Sequence, residues 1–308
     1  MGRYAYFQGK VVPLEEARVS IMTHAFNYGT GCFEGIRAYW SEEHQELYVF
    51  RMREHYQRLL ESCKILRIEP RLSLEELEAI TLEVLRRNGD REDVYIRPLF
   101  YKSAEVVGVR LHGLSDDFAL YVVPFGPYID VDRPIRCRVA SWRHVNDVAI
   151  PMRAKICGSY VNAALAKSEA VEDGYDEAIF LTADGHVSEG SAENLFMVRR
   201  GKLVTTPVYE DILEGITRAT VIQLARQFLD LEVEERPIDR TELYVAEEVF
   251  LVGTGAQVSP VGEIDHRKVG RGEIGPITRR IQQLYFDTVK GRVEALRHWL
   301  TPVYRRAG

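Results

Sequence analysis

Cysteine is scarce and scattered in this chain of 308 residues: Cys32, Cys63, Cys137 and Cys157 form no Cys-x-x-Cys pair, which argues against a disulfide framework or a thiolate zinc site. None of the eight histidines stands two to five residues from another, so the spacing of a histidine metal-ligand pair is missing as well. Positive charge does not gather. The net charge is −6, and no Lys/Arg block offers a track for a phosphate backbone, which argues against nucleic acid as a partner. Hydrophobic runs are short, none approaching the roughly 20 residues of a membrane span, and Met1 to Lys10 lacks the apolar core of a signal peptide. No internal repeat or low-complexity tract occurs. The expectation is a soluble protein of a reducing cytoplasm whose partner is a small molecule.

What is present is an ordinary globular composition, 46% hydrophobic and 28% charged. The length exceeds that at which one core usually stops growing, so two domains are expected. Tyr4 to Phe7 and Val11-Val12, parted by Gln8-Gly9-Lys10, predict a hairpin. Glu54 to Leu66 has helical spacing, and Ser73-Leu74-Glu75-Glu76 is a capping-box start for a helix running to Asn88-Gly89. Asp93 to Tyr101 and Phe118 to Phe125 read as strands, with a loop from Glu105 to Asp117. Further on, helices are predicted over 160–173, 217–229 and 277–289, and strands over 177–181, 194–198 and 249–252. The turn formers from Gly126-Pro127 to Arg133-Pro134 mark a connector. The expected architecture is therefore α/β with α+β character and mixed sheets: a smaller N-terminal domain over 1–125, a connector over 126–134 and a larger C-terminal domain over 135–308.

Three features carry chemistry. Lys155 is flanked by Ala154, Gly158 and Ser159, small residues that leave room for a ring, and an amine held in an apolar setting becomes nucleophilic and able to shuttle a proton. Asp184-Gly185 reads as a hairpin turn, which puts Ser188-Glu189-Gly190 near a strand end. A carboxylate about 4 Å from a ring cation gains about 4 kcal/mol at an effective dielectric of about 20, enough to hold a pyridine nitrogen protonated. Glu214-Gly215-Ile216-Thr217-Arg218 opens a helix whose first N–H groups, with the Thr217 hydroxyl, make a phosphate cup. Gly253-Thr254-Gly255-Ala256 offers further N–H groups after a strand, and Arg58 a second positive charge. An amine, an acid and an anion cup are the three parts that pyridoxal 5′-phosphate (PLP) requires. The pattern Gly270-Arg271-Gly272-Glu273-Ile274-Gly275 matches a dinucleotide fingerprint, but Glu263 to Lys268 before it is too polar for the buried strand such a fingerprint needs, and it reads as a turn.

With these residues assembled, the chain resembles the fold-type-IV PLP enzymes, and most closely the branched-chain amino-acid aminotransferases. The matching motifs are Tyr28-Gly29-x-Gly31-x-Phe33-Glu34-Gly35-Ile36-Arg37, Tyr95-Ile96-Arg97-Pro98-Leu99, Lys155 to Tyr160, Ser188-Glu189-Gly190 with Glu193-Asn194-Leu195-Phe196, Leu213 to Arg218, and Gly253-Thr254. The resemblance implies that Lys155 forms the Schiff base, Glu189 pairs with the pyridine nitrogen and Tyr160 bonds the ring's phenolic oxygen. It implies Arg58, Ile216, Thr217 and Thr254 around the phosphate. Tyr95 and the N–H groups of Gly255 and Ala256 would meet the substrate carboxylate; Tyr28, Phe33, Gly35, Val109, Phe125 and Tyr128 would line the side-chain pocket. Tyr28 and Val109 would come from a partner subunit, making a homodimer the smallest active unit. Arg97 matches the cation that engages the distal carboxylate of glutamate, the competing role being an ion pair with Glu34.

The implied activity is transfer of the amino group of L-leucine, L-isoleucine or L-valine to 2-oxoglutarate in two half-reactions. Competing readings are a transaminase for D-amino acids or (R)-primary amines, a PLP lyase of the same fold, a nicotinamide dehydrogenase and a non-catalytic binding protein. The chain departs from the family pattern at Gly255 and Gln257, where alanine and an acid are usual, at Phe125, where tryptophan is common, and at Cys157, where glycine is frequent.

Overall fold

The computed structural model describes residues 2–126 and 129–304. It divides by packing into two units, the first made of Met1–Gly126, Ala154–Gly158 and Asp287–Gly308, the second of Pro127–Arg153 and Ser159–Phe286.

In the first unit Gln8 and Gly9 both take positive φ, 48° and 81°, the backbone of a two-residue turn matched to strand twist. They join Tyr4–Phe7 to Lys10–Pro13, the predicted hairpin. The sheet has eight strands in the order Leu300–Pro302, Glu46–Phe50, Ile36–Ser41, Val94–Lys102, Asp116–Pro124, Tyr4–Phe7, Lys10–Pro13, with Gly31–Phe33 also on Val94–Lys102. Its ladders are all antiparallel. Along Val94–Lys102 the pleat buries Val94, Ile96 and Phe100 and turns Tyr95, Arg97 and Leu99 to the other, half-buried face. The helix Met52–Ile65 buries Met52, Tyr56, Leu59 and Cys63, and the helix Leu74–Asn88 buries Leu77, Thr81, Val84 and Leu85. A contact between the Tyr56 and Thr81 hydroxyls ties the two helices together.

The second unit carries nine strands in the order Val187–Gly190, Glu177–Leu181, Ile135–Arg143, Gln257–Ile264, Glu248–Gly253, Asn194–Arg199, Lys202–Thr205, Val233–Glu235, with Arg267–Lys268 on Gln257–Ile264. This sheet is mixed: Ile135–Arg143 runs parallel to both its neighbours, as does Lys202–Thr205 to Val233–Glu235. The helix Tyr160–Glu172 packs close through Ala166 and Ala170 onto Ala140, Ala178 and Phe180. The helix Ile216–Phe228 buries Val221, Leu224 and Ala225. The glycine-rich stretch after Arg267–Lys268 is a turn, with Gly270 and Gly272 at φ 53° and 77°, and Pro276 opens the helix Pro276–Val289.

Packing divides the chain differently from the boundaries 1–125, 126–134 and 135–308 in two places. Residues 154–158 belong with the first unit because the Phe33 amide donates to the Lys155 carbonyl at 3.0 Å and the Lys155 amide donates to Ser62 Oγ at 3.1 Å. The carboxyl-terminal segment joins it because Leu300–Pro302 adds a strand to Glu46–Phe50 and Lys290 Nζ donates to the Trp40 carbonyl and to Asp93. The exchange brings the two units to near-equal size. Both pairings are long-range and leave no local signature in the sequence.

The capping box is complete: Ser73 Oγ accepts from the Glu76 amide at 3.2 Å, the Ser73 amide donates to Glu76 Oε2 at 2.7 Å, and Gly89 closes the helix at φ 69°. Ser73→Ala is expected to lower the free energy of unfolding by about 1 kcal/mol. A urea melt checks it, and an unmoved midpoint would show that the cap carries no weight.

Candidate active site

Lys155 is held by its backbone before its side chain is considered. The bonds to Phe33 and Ser62 flank it, an isolated bridge pairs Cys32 with Ile156, and the Gly158 amide donates to the Gly29 carbonyl at 3.1 Å. Gly29 sits at φ 66°, and a Cβ there would stand 2.7 Å from Gly158 Cα, so glycine alone permits this approach. Cys157, where the family pattern has glycine, puts its Sγ 3.3 Å from the place a Gly31 Cβ would occupy, filling the space Gly31 leaves. Lys155 Nζ lies 5.1 Å from the centre of the Phe33 ring.

The Arg97 guanidinium stacks 4.2 Å from the same ring and donates to the Tyr95 hydroxyl at 2.8 Å. The Tyr95 ring lies 4.9 Å from that of Phe125, and its hydroxyl covers Gly35 so closely that no Cβ fits there. Arg37 donates to the carbonyls of Phe125 and Gly126 at 2.9 and 3.1 Å, anchoring the end of this wall. Phe33, Gly35, Tyr95, Arg97 and Phe125 are thus brought together with Lys155.

Glu34, fully buried, is engaged by Arg58. Arg58 donates to its two oxygens at 2.7 and 2.8 Å, and His55 Nδ1 contacts Oε2 at 2.8 Å. Burial alone would raise the Glu34 carboxyl, but the charge of Arg58 and the bond from His55 outweigh it and hold Glu34 well below the ordinary carboxylate value. Burial pushes His55 down despite Glu34, so His55 serves as a neutral donor.

Tyr28 ends the helix His24–Tyr28, and Val109 follows Gly108 in the segment that contacts it. The Tyr28 hydroxyl accepts from the Gly108 amide at 3.0 Å, and His24 bridges Thr30 Oγ1 and the Gly108 carbonyl, each at 2.7 Å. Nearby in sequence, Ile21, Phe26 on the helix His24–Tyr28, Val107 and Val109 are 79%, 69%, 92% and 79% exposed, large apolar side chains turned to solvent. Tyr128 lies outside the described residues.

In the second unit, Glu189 sits on the strand Val187–Gly190, buried. Its Oε2 accepts from Asn194 Nδ2 at 2.8 Å and from the Leu213 amide at 3.3 Å, and Asn194 also donates to the Leu213 carbonyl at 2.9 Å. Its Oε1 lies 3.8 Å from His144 Nε2. Asn194 ties the acid to the next loop, where a Cβ on Gly215 would collide with the Asn194 amide oxygen. Gly215 is the extended residue that opens Ile216–Phe228, so the amides of Ile216 and Thr217 stand in its first turn, where no intrahelical carbonyl can meet them. Thr254 to Ala256 form the turn between the strands Glu248–Gly253 and Gln257–Ile264, and a Gly253 Cβ would stand 3.3 Å from the Ala192 carbonyl. Glu189 is thus carried by a strand, Ile216 and Thr217 by a helix start, and Thr254, Gly255 and Ala256 by a turn, all in the second unit. Tyr160 opens the helix Tyr160–Glu172, five residues on from Lys155.

Sequence reasoning named Glu34 as a possible partner of Arg97 without foreseeing its bonds to Arg58, and it missed His55 and His144. Glu34 lay inside a quoted motif, and its partners His55 and Arg58 stand one turn apart on a helix, a faint signal; His144 had none.

Residues 31–264 match the family described as Amino-transferase class IV. The chain belongs to that family. A probable branched-chain-amino-acid aminotransferase of Aquifex aeolicus is 53% identical over 301 residues, covering 98% of this chain and 97% of the relative. Among solved structures, the branched-chain aminotransferase of Thermoproteus uzoniensis with norvaline superposes with a TM-score of 0.95 at 46% identity, covering 99% of this chain and 100% of that one. The branched-chain amino acid aminotransferase of Thermobaculum terrenum in its PLP form gives a TM-score of 0.94 at 39% identity, covering 99% of each chain.

Glu34→Gln breaks a buried ion pair and is expected to cost about 3–5 kcal/mol of stability near neutral pH. Because the Glu34 value is depressed in the folded chain, its contribution is full above the ordinary carboxylate value of 4.5 and is lost as pH falls below it. Unfolding followed against pH should show a flatter acid side in the variant; parallel acid sides would refute the assignment.

Proposed function

We propose that this chain is a PLP-dependent transaminase that moves the amino group of L-leucine, L-isoleucine or L-valine to 2-oxoglutarate, working as a homodimer in the cytoplasm. The residues fit the coenzyme. Glu189 Oε2 accepts from two amide donors, which suits an ionised carboxylate, and the bare faces of Gly215 and Gly253 let Asn194 and Ala192 come close where a phosphate needs main-chain N–H groups.

Bound PLP supplies a protonated ring that accepts the electrons of the broken Cα–H bond. Lys155 supplies the amine that holds the coenzyme and moves the α-proton. Glu189 would keep the proton on the ring nitrogen, and Tyr160 would hold the ring oxygen. Ile216, Thr217 and Thr254 hold the phosphate with Arg58, whose orientation Glu34 sets.

Tyr95 and the amides of Gly255 and Ala256 take the substrate carboxylate. Phe33, Gly35 and Phe125 offer the side chain an apolar wall, while Arg97 turns donors to the distal carboxylate of glutamate. Tyr28 and Val109 act in the partner's pocket, which the exposed apolar side chains of Phe26 and Val107 support as surface that a second copy covers.

The observation that carries the reading is the Lys155 amine beside the Phe33 and Arg97 stack in a chain of this family. Single half-reactions with L-leucine, L-glutamate, D-alanine and (R)-1-phenylethylamine, followed by the coenzyme's absorbance, test it. L-leucine and L-glutamate should both react, Lys155→Ala should slow them by on the order of 10²–10⁴-fold or more, and negligible L-leucine turnover would overturn the reading. Arg97→Ala should lower kcat/KM for glutamate by roughly 10- to 100-fold, the loss of one charged hydrogen bond, and leave leucine nearly unchanged. Equal losses would remove Arg97 from its role.

A further inference from the structure

His144 has no part in the motifs above, yet it contacts both the strand that carries Glu189 and the loop that carries Asp211. Its amide donates to the Leu181 carbonyl at 3.0 Å, and its ring packs 4.6 Å from Phe180. Asn162, from the helix Tyr160–Glu172, clamps the residues on either side: Nδ2 donates to the Arg143 carbonyl and Oδ1 accepts from the Val145 amide. The ring is therefore fixed from three elements.

Its protonation state follows from its partners. Nδ1 lies 2.6 Å from the Asp211 carbonyl, and a carbonyl only accepts, so Nδ1 carries the hydrogen. Ser188 Oγ, 3.1 Å from the same nitrogen, spends its own hydrogen on the Glu210 carbonyl at 2.8 Å and adds a second acceptor. In the neutral ring this leaves a lone pair on Nε2, the atom 3.8 Å from Glu189 Oε1. We propose that His144 is a positioning residue for Glu189: a neutral imidazole, locked with its hydrogen on Nδ1, that backs the carboxylate without donating to it and so leaves the Oε1 charge for the ring nitrogen of the coenzyme. The inference rests on the reading of Glu189 given above.

The arrangement carries an acid limit. Protonation would place a hydrogen on Nε2, turn the backing residue into a cation that draws on Glu189, and weaken the hold on the ring nitrogen. Among the described residues the ring faces Glu189 and Ser188 from the strand Val187–Gly190, Phe180 from Glu177–Leu181, and the Asp211 carbonyl. Burial, opposed by the bond to Asp211, pushes His144 down to about 4, so the neutral form holds through the neutral range.

The test uses holoenzyme carrying PLP labelled with ¹⁵N in the ring, and reads the ¹⁵N signal and the PLP dissociation constant against pH. His144→Phe keeps the ring against Phe180 but has no Nδ1–H; it should move the signal toward the unprotonated form and bind PLP about tenfold more weakly. His144→Asn can donate to the Asp211 carbonyl from its amide and cannot become a cation; it should recover most of the signal and lack the change that the parent shows as pH falls toward about 4. Phe and parent proteins alike in both readouts would overturn the proposal. Should His144→Phe not fold, His144→Asn decides alone, since an acid change like the parent's would overturn it. Glu189→Gln separates the two levels. If it leaves the ¹⁵N signal unchanged the reading of Glu189 has failed, whereas a shift there with none in the His144 variants defeats this inference only.

Discussion

The main-chain bonds of Lys155 are the constraint on which the first half of the site depends. Its amide donates to Ser62 Oγ, its carbonyl accepts from the Phe33 amide, and Ser62 in turn donates to the carbonyl of Arg58, one helical turn back. Arg58 grips Glu34, the residue next to Phe33. A closed circuit of short bonds thus runs from the amine's backbone through a helix and back to the strand end that presents the Phe33 ring. Breaking a bond in it would loosen the hold on Lys155 beside the Phe33 ring, and on the proposed function an amine that wanders would contribute little as a proton shuttle. The fully buried charge of Glu34 is tolerable only because two donors from one helix satisfy it, so the circuit is also what makes that burial possible.

A second division of labour concerns two acids four residues apart. Glu189 accepts from a side-chain amide and a main-chain amide, bonds that favour the ionised form. Glu193, equally buried, is pushed up by its burial first and by the charge of Glu177 next, with Glu189 adding in the same direction. Lys167, which could have lowered Glu193 further, is bonded to Glu177 instead. The two environments differ: the bonds around Glu189 suit an ionised carboxylate, whereas burial works against one at Glu193.

Much of the fold was legible where local rules act alone. The capping box at Ser73, the turn at Gln8-Gly9 and the strand Glu177–Leu181 each follow from a handful of neighbouring residues, and each stands as read. Ile36–Ser41 was not legible, because every residue of it is buried and the alternation that marks a half-exposed strand is absent. The pairing of 154–158 with Phe33 and of Leu300–Pro302 with Glu46–Phe50 depends on contacts more than a hundred residues apart. Of the proposed site residues, Lys155, Glu189 and the Ile216-Thr217 helix start drew notice by residue type beside glycine. His144 did not: a histidine after a strand looks the same whether it faces solvent or an acid 45 positions later, and only the fold brings the two together.

The stack of Arg97 on Phe33 bears on how one pocket serves two unlike substrates. A lysine ammonium at that place would be strongly hydrated, and clearing its water for leucine would cost more than the apolar contact returns. A guanidinium is weakly hydrated, flat, and donates only from its edge. Held 4.2 Å over an aromatic face and bonded to the Tyr95 hydroxyl, it covers the ring with a surface that tolerates an alkyl group, while its edge N–H groups can turn toward a carboxylate. Tyr95 and Arg97 lie two residues apart on one strand, so the pleat alone puts them on the same face, and Gly35 provides the hollow that lets the Tyr95 hydroxyl reach its place. On the proposed function, dual specificity would rest on the choice of arginine, its stack on Phe33, and the glycine beneath the tyrosine that steadies it.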